Sequence, residues 1–82
     1  MVKLINEPIQ VYEPVKNKIR AFIWRKRLYS VIEIIGWWRE ASSWWDNEPL
    51  RFFIRVQASN YSQGTYELCR IEKQWYMHRV LD

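Results

Sequence analysis

From Leu50 to Ala58 the chain alternates in step with a β-strand: Phe52, Ile54, Val56 and Ala58 fall on one face, Arg51, Phe53, Arg55 and Gln57 on the other. Successive strand side chains point to opposite sides, so this pattern predicts a strand with one face in a core. Thr65 to Ile71 repeats it, with Tyr66 and Leu68 on one face and Thr65, Glu67, Cys69 and Ile71 on the other. Leu28 to Arg39 is the longest apolar run, and its β-branched Val31, Ile32, Ile34 and Ile35 favour strand over helix. Gly36 inside that run predicts a bulge or a sharp bend. Ile19 to Arg25 and Trp75 to Leu81 are two further β-rich segments. Pro8 to Val15 also alternates, but Pro8 and Pro14 cannot donate ladder hydrogen bonds, which demotes the segment to an edge strand or an extended arm. Residues 1–7 are expected as a loosely ordered N-terminal arm.

Polar residues mark the connections. Lys26-Arg27 reads as a hairpin turn, although neither residue is a strong turn former. Glu40 to Pro49 reads as a structured loop, with a short helical turn from Ser42 or Ser43 as the alternative. Ser59 to Gly64 forms a loop in which Gly64 can supply a positive φ, and Glu72-Lys73-Gln74 turns into the last strand. Five or six short strands joined tightly imply an antiparallel meander. The expected fold is therefore all-β: a small curled antiparallel sheet or a partly open SH3-like barrel, with residues 1–82 as one domain.

Composition narrows the function classes. With 49% hydrophobic residues, six Trp, five Tyr and three Phe against two Gly and three Pro, the chain is no disordered tail or low-complexity linker. One Cys excludes an intramolecular disulfide and fits a reducing compartment. No apolar run approaches the roughly 20 residues that span a bilayer, and the N-terminus has no signal-like apolar stretch, so a cytoplasmic protein is expected and no membrane partner. Catalysis finds little support. His78 has no nucleophile motif beside it, Cys69 reads as a half-buried strand residue, and Glu40, Asp46 and Glu48 lack the density of a calcium loop. No Gly-rich phosphate loop, zinc spacing or nucleophile elbow is present, so neither an enzyme nor a cofactor is expected.

The net charge of +4 is unevenly placed. Lys16, Lys18, Arg20, Arg25, Lys26 and Arg27 fall in a twelve-residue stretch without an acid, whereas residues 42–82 carry five basic and five acidic side chains. A local cationic field attracts polyanions, although a charged hairpin also serves solubility alone. Arg51 and Arg55 flanking Phe53 are a more specific pattern, because arginine beside an exposed aromatic suits phosphate contact with base stacking. The same pattern suits cation–π packing within the domain. The nucleic-acid candidates are thus Arg20, Arg25, Lys26, Arg27, Arg51, Phe53 and Arg55. Trp37, Trp38, Trp44 and Trp45 form a second cluster with Arg39 and Glu40 beside it. Exposed tryptophan near arginine is typical of protein-binding hot spots, and covering the open end of a barrel is the competing role.

The run Trp38-Arg39-Glu40-Ala41-Ser42-Ser43-Trp44-Trp45, then Pro49 and Arg51-Phe52-Phe53-Ile54-Arg55-Val56, is distinctive. So are Tyr66-Glu67-Leu68 and the ending Trp75 to Asp82. Together they resemble a small domain of unknown function at the C-terminus of ImuB-like proteins, relatives of the Y-family translesion DNA polymerases, which also occurs as a short stand-alone protein. That resemblance covers Pro8 to Asp82 and implies an accessory or interaction module near DNA-damage tolerance, with no catalytic residues of its own. The leading expectation is a module that binds a protein of the DNA-repair machinery through Trp37 to Trp45. Direct nucleic-acid binding is the alternative, and dimerisation through an edge strand is a third.

Overall fold

The computed structural model describes residues 3–15, 18–40 and 51–81. Among these residues six strands are present, β1 Lys3–Tyr12, β2 Ala21–Trp24, β3 Arg27–Glu40, β4 Arg51–Asn60, β5 Ser62–Ile71 and β6 Gln74–Val80. Each pairs antiparallel with its neighbours in sequence, and β1 pairs with β6 to close the barrel. The expected all-β class and strand number hold, and the sheet closes fully.

The face of β4 that alternation assigned to the core is there. Phe52, Ile54, Val56 and Ala58 are buried with Leu68 of β5 and Trp75 and Met77 of β6. Phe22 and Tyr29 stack at 5.0 Å across the β2–β3 pair, and the Tyr66 ring meets both edge-on. Aromatic pairs of this kind add to the free energy of area burial.

Four local expectations are corrected. Residues 3–7 are not an arm: they belong to β1, where Lys3 to Ile9 register against Val80 to Trp75. Nor is Pro8 to Tyr12 an edge, since β1 lies between β6 and β2, and Glu13 to Val15 lie beyond the strand. Pro8 is accommodated because the ladder to β2 starts only at Gln10. The β2–β3 turn is Arg25-Lys26, one residue earlier than read, with φ of 52° and 63°. Both central residues at positive φ is the two-residue hairpin geometry that matches strand twist, normally supplied by Asn-Gly. Gly64 has no positive φ and sits inside β5. The left-handed residue of the β4–β5 connection is Tyr61, at φ 68°. Gly64 has a different reason to be glycine: a Cβ there would lie 2.9 Å from the Tyr66 hydroxyl.

β3 contains the expected irregularity and a second one. Its register against β4 slips between Val31 and Glu33 and again between Ile34 and Gly36. Each slip is a bulge with one extra residue, Ile32 or Ile35, and both isoleucines are exposed. β2 is only four residues long, so it covers β3 as far as Ser30, and the Arg20 carbonyl accepts from the Val31 N–H. From Ile32 to Glu40 the side of β3 turned away from β4 has no strand partner among the described residues.

Candidate functional site

Cross-strand register assembles a row of side chains on the outer face of β3 to β6. Trp38, Phe53, Cys69 and Tyr76 are successive partners, as are Gly36, Arg55, Glu67 and Arg79. The Trp38 and Phe53 rings stack at 5.4 Å and 10°, and the His78 ring closes edge-on over Phe53 at 5.0 Å. A bulge in β6 at His78 and one in β1 before Glu7 bring the His78 Nδ1 to 3.2 Å from the Asn6 side-chain oxygen. Phe53 is thereby 2% exposed. The nucleic-acid face proposed for Arg51, Phe53 and Arg55 is corrected accordingly: Phe53 has no free ring for a base. Period-2 reasoning sends it outward correctly, but partners far away in sequence cover it.

Arg55 is engaged as well. Its guanidinium donates to Glu67 from Nε at 3.2 Å and Nη2 at 2.6 Å, and it lies 5.5 Å from the centre of the Trp38 ring. Glu67 is buried, so this charge-assisted bond neutralises a carboxylate that water cannot reach. Beside the row, Asn6, Arg51, Cys69, Tyr76, His78 and Arg79 line most of a cavity of about 400 Å³. Burial pushes the Cys69 thiol up from its ordinary range, which disfavours the reactive thiolate. Burial, with Arg79 adding to it, pushes the His78 imidazole down, so the ring is neutral near pH 7.

A second aromatic layer lies where the interior meets the free stretch of β3. Trp37 stacks on Phe52 at 5.7 Å, and Phe52 meets Trp75 edge-on at 6.2 Å. Arg70 sits 5.0 Å from the Phe52 ring and 5.5 Å from that of Trp75, and Arg39 is 5.9 Å from Trp37. Trp37 nevertheless keeps 61% of its surface exposed, and Ile32 and Ile35 keep about half. Arg70 and Trp75 were not among the sequence candidates, because only pairing across β4 to β6 shows that they complete this layer. Trp38 is half-buried in the outer row, while Arg39 and Glu40 are exposed. Trp44 and Trp45 lie outside the described residues.

At the opposite end the basic residues divide. Arg25 donates from Nε and Nη2 to the two Glu7 carboxylate oxygens at 2.9 and 3.0 Å and lies 4.6 Å from the Trp24 ring. The Trp24 indole N–H donates to the same carboxylate at 2.8 Å. That bonding with Glu7 raises the Arg25 guanidinium above its ordinary value, so this cation is committed to the turn. Arg20 is exposed, and its main chain joins Tyr12 to Val31. Lys26 and Arg27 instead line an open groove with Leu28, Asn60 and Tyr61. Tyr61 was not a sequence candidate, and it is fully exposed.

Among the described residues no group of three or more His, Cys, Asp or Glu side chains is placed to hold a metal ion, and no helix is long and apolar enough to cross a membrane. A family model described as "Domain of unknown function (DUF6504)" matches residues 1–82. No curated protein and no solved structure matches the chain.

Proposed function

We propose that this chain, which belongs to the DUF6504 family of domains of unknown function, is an interaction module that adds an extended segment of a protein partner to the free side of β3. The observation that carries this reading is the stretch Ile32 to Glu40. There a stretch of strand without a partner on one side among the described residues coincides with exposed Ile32, Ile35 and Trp37. Unpaired N–H and C=O groups offer a partner strand a hydrogen-bond ladder, and the flanking side chains offer apolar contacts that set its sequence. Trp37 is held from behind by Phe52 and from the side by Arg39, so its orientation is set before binding. The resemblance to the C-terminal domain of ImuB-like proteins supports a partner in DNA repair or translesion synthesis.

Selection of peptides from a random display library tests this. Selected sequences should alternate apolar and polar residues and lose binding on N-methylation of every second amide. Trp37→Ala should weaken them at least tenfold, as truncation of a hot-spot tryptophan does at about 1.4 kcal/mol or more. Peptides that tolerate both N-methylation and Trp37→Ala would place the interaction elsewhere.

A further inference from the structure

We infer a second binding site, for single-stranded nucleic acid, in the groove between the β2–β3 and β4–β5 hairpin tips. The groove is open to solvent, has a volume of about 620 Å³ and is lined by Lys26, Arg27, Leu28, Asn60 and Tyr61. Among the described residues its wall carries two cations and no acid. Neither cation has a carboxylate within ion-pair distance among the described residues, whereas the neighbouring Arg25 is taken up by Glu7. Lys26 and Arg27 are therefore cations that the described part of the fold leaves without an ion pair.

Tyr61 selects the ligand class. Its ring is fully exposed, yet it sits at φ 68°, where a bulky residue is strained and Gly or Asn would be cheaper. The fold gains nothing from tyrosine at this tip. A free aromatic face beside two cations matches a nucleotide, with the phosphate on Lys26 and Arg27 and the base stacked on the ring. Duplex DNA hides its base faces in the stack, so the unpaired strand is the fitting form. This site lies on different residues from the β3 surface and does not depend on that reading.

The test is fluorescence anisotropy with a labelled oligothymidylate of about 20 nucleotides, starting at about 50 mM salt. Binding is expected, with log K falling against log salt at a slope of about −1.4, from two cations at about −0.7 each on a single strand. Tyr61→Gly removes the ring and relieves the strained φ, so it should fold at least as well as the parent. It should weaken binding at least about fivefold and leave the slope unchanged. Tyr61→Phe should bind as the parent does, and Lys26→Gln or Arg27→Gln should each flatten the slope by about half. Absence of binding at low salt, or parental affinity in Tyr61→Gly, would overturn the site. Competition by polyglutamate as effective as by the unlabelled oligonucleotide would also overturn it, and would assign the groove to an acidic protein segment.

Discussion

Arg55 and Glu67 are joined by two hydrogen bonds, but they do not stand equally in water. The Glu67 side chain retains 4% of its surface and the Arg55 side chain 41%. Removing either partner deletes the same bonds, so any difference between the two variants reports what is left behind. In Arg55→Met a carboxylate stays buried without its counter-charge. Loss of one member of a buried pair costs about 3–5 kcal/mol, and about 3 is expected here because the pair is half open to solvent. In Glu67→Gln the amide oxygen still accepts a bond and Arg55 can turn to water, so the cost should be about 1 kcal/mol or less. Arg55→Met combined with Glu67→Leu removes the orphaned charge and should return to within about 1 kcal/mol of the parent. Urea unfolding followed by tryptophan fluorescence measures all three. In thermal unfolding the single Arg55 variant should melt roughly 15 °C lower, at about 4–8 °C per kcal/mol for a domain of this size. If Glu67→Gln costs as much as Arg55→Met, the asymmetry in solvent access does not govern this pair and the reasoning fails.

Other substitutions probe the backbone and the pH response. Lys26→Gly should stabilise the domain by about 0.5–1 kcal/mol, because it relieves the left-handed strain at φ 63° less the entropy cost of glycine; a lower urea midpoint would contradict the turn assignment. Gly64→Ala should destabilise it by about 1–3 kcal/mol, since the new Cβ meets a Tyr66 ring already boxed in by Phe22 and Tyr29. Gly36→Ala should be neutral or slightly stabilising, as its Cβ would meet no atom within 4 Å. His78 has its pKa lowered by burial, so the unfolded chain takes up the proton first. Stability from this residue is complete above about pH 6.5 and is lost as the pH falls toward the lowered folded value. The urea midpoint should therefore drop between neutral and mildly acid pH, and His78→Gln should flatten that part of the profile.

What could be read from the chain follows the range of the forces involved. β4 was legible because burial on one face forces strict alternation over Phe52, Ile54, Val56 and Ala58. The outward direction of Phe53 was legible too, but its burial was not, because Trp38 and His78 reach it only through sheet pairing. The turn was misplaced by one residue since Arg25-Lys26 carries no Asn or Gly. Its local signal is replaced by a carboxylate eighteen positions upstream that holds Arg25 and Trp24 together. Gly64 misled for the opposite reason: glycine serves equally for an unusual φ or for the space its missing side chain leaves. Of the candidate surface, Trp37 was named from sequence, whereas Tyr61 had no signature. An exposed tyrosine in a polar loop is unremarkable until its φ is known.

The two slips in β3 also act on how the strand's sequence is read into the fold. Strict alternation from Val31 would send Glu33 into the barrel. Because Ile32 and Ile35 are extra residues, the chain steps inward at Val31, Ile34 and Trp37, opposite Ala58, Val56 and Ile54, and Glu33 stays outside. The bulges act as frame-keepers: each absorbs one surplus residue so that the paired positions stay in phase with β4. Deleting either isoleucine should straighten the strand locally while Glu33, Ile34, Trp37 and Trp38 keep their faces and their partners on β4, whereas inserting one residue in a regular stretch of β3 should require a new bulge or flip every later side chain.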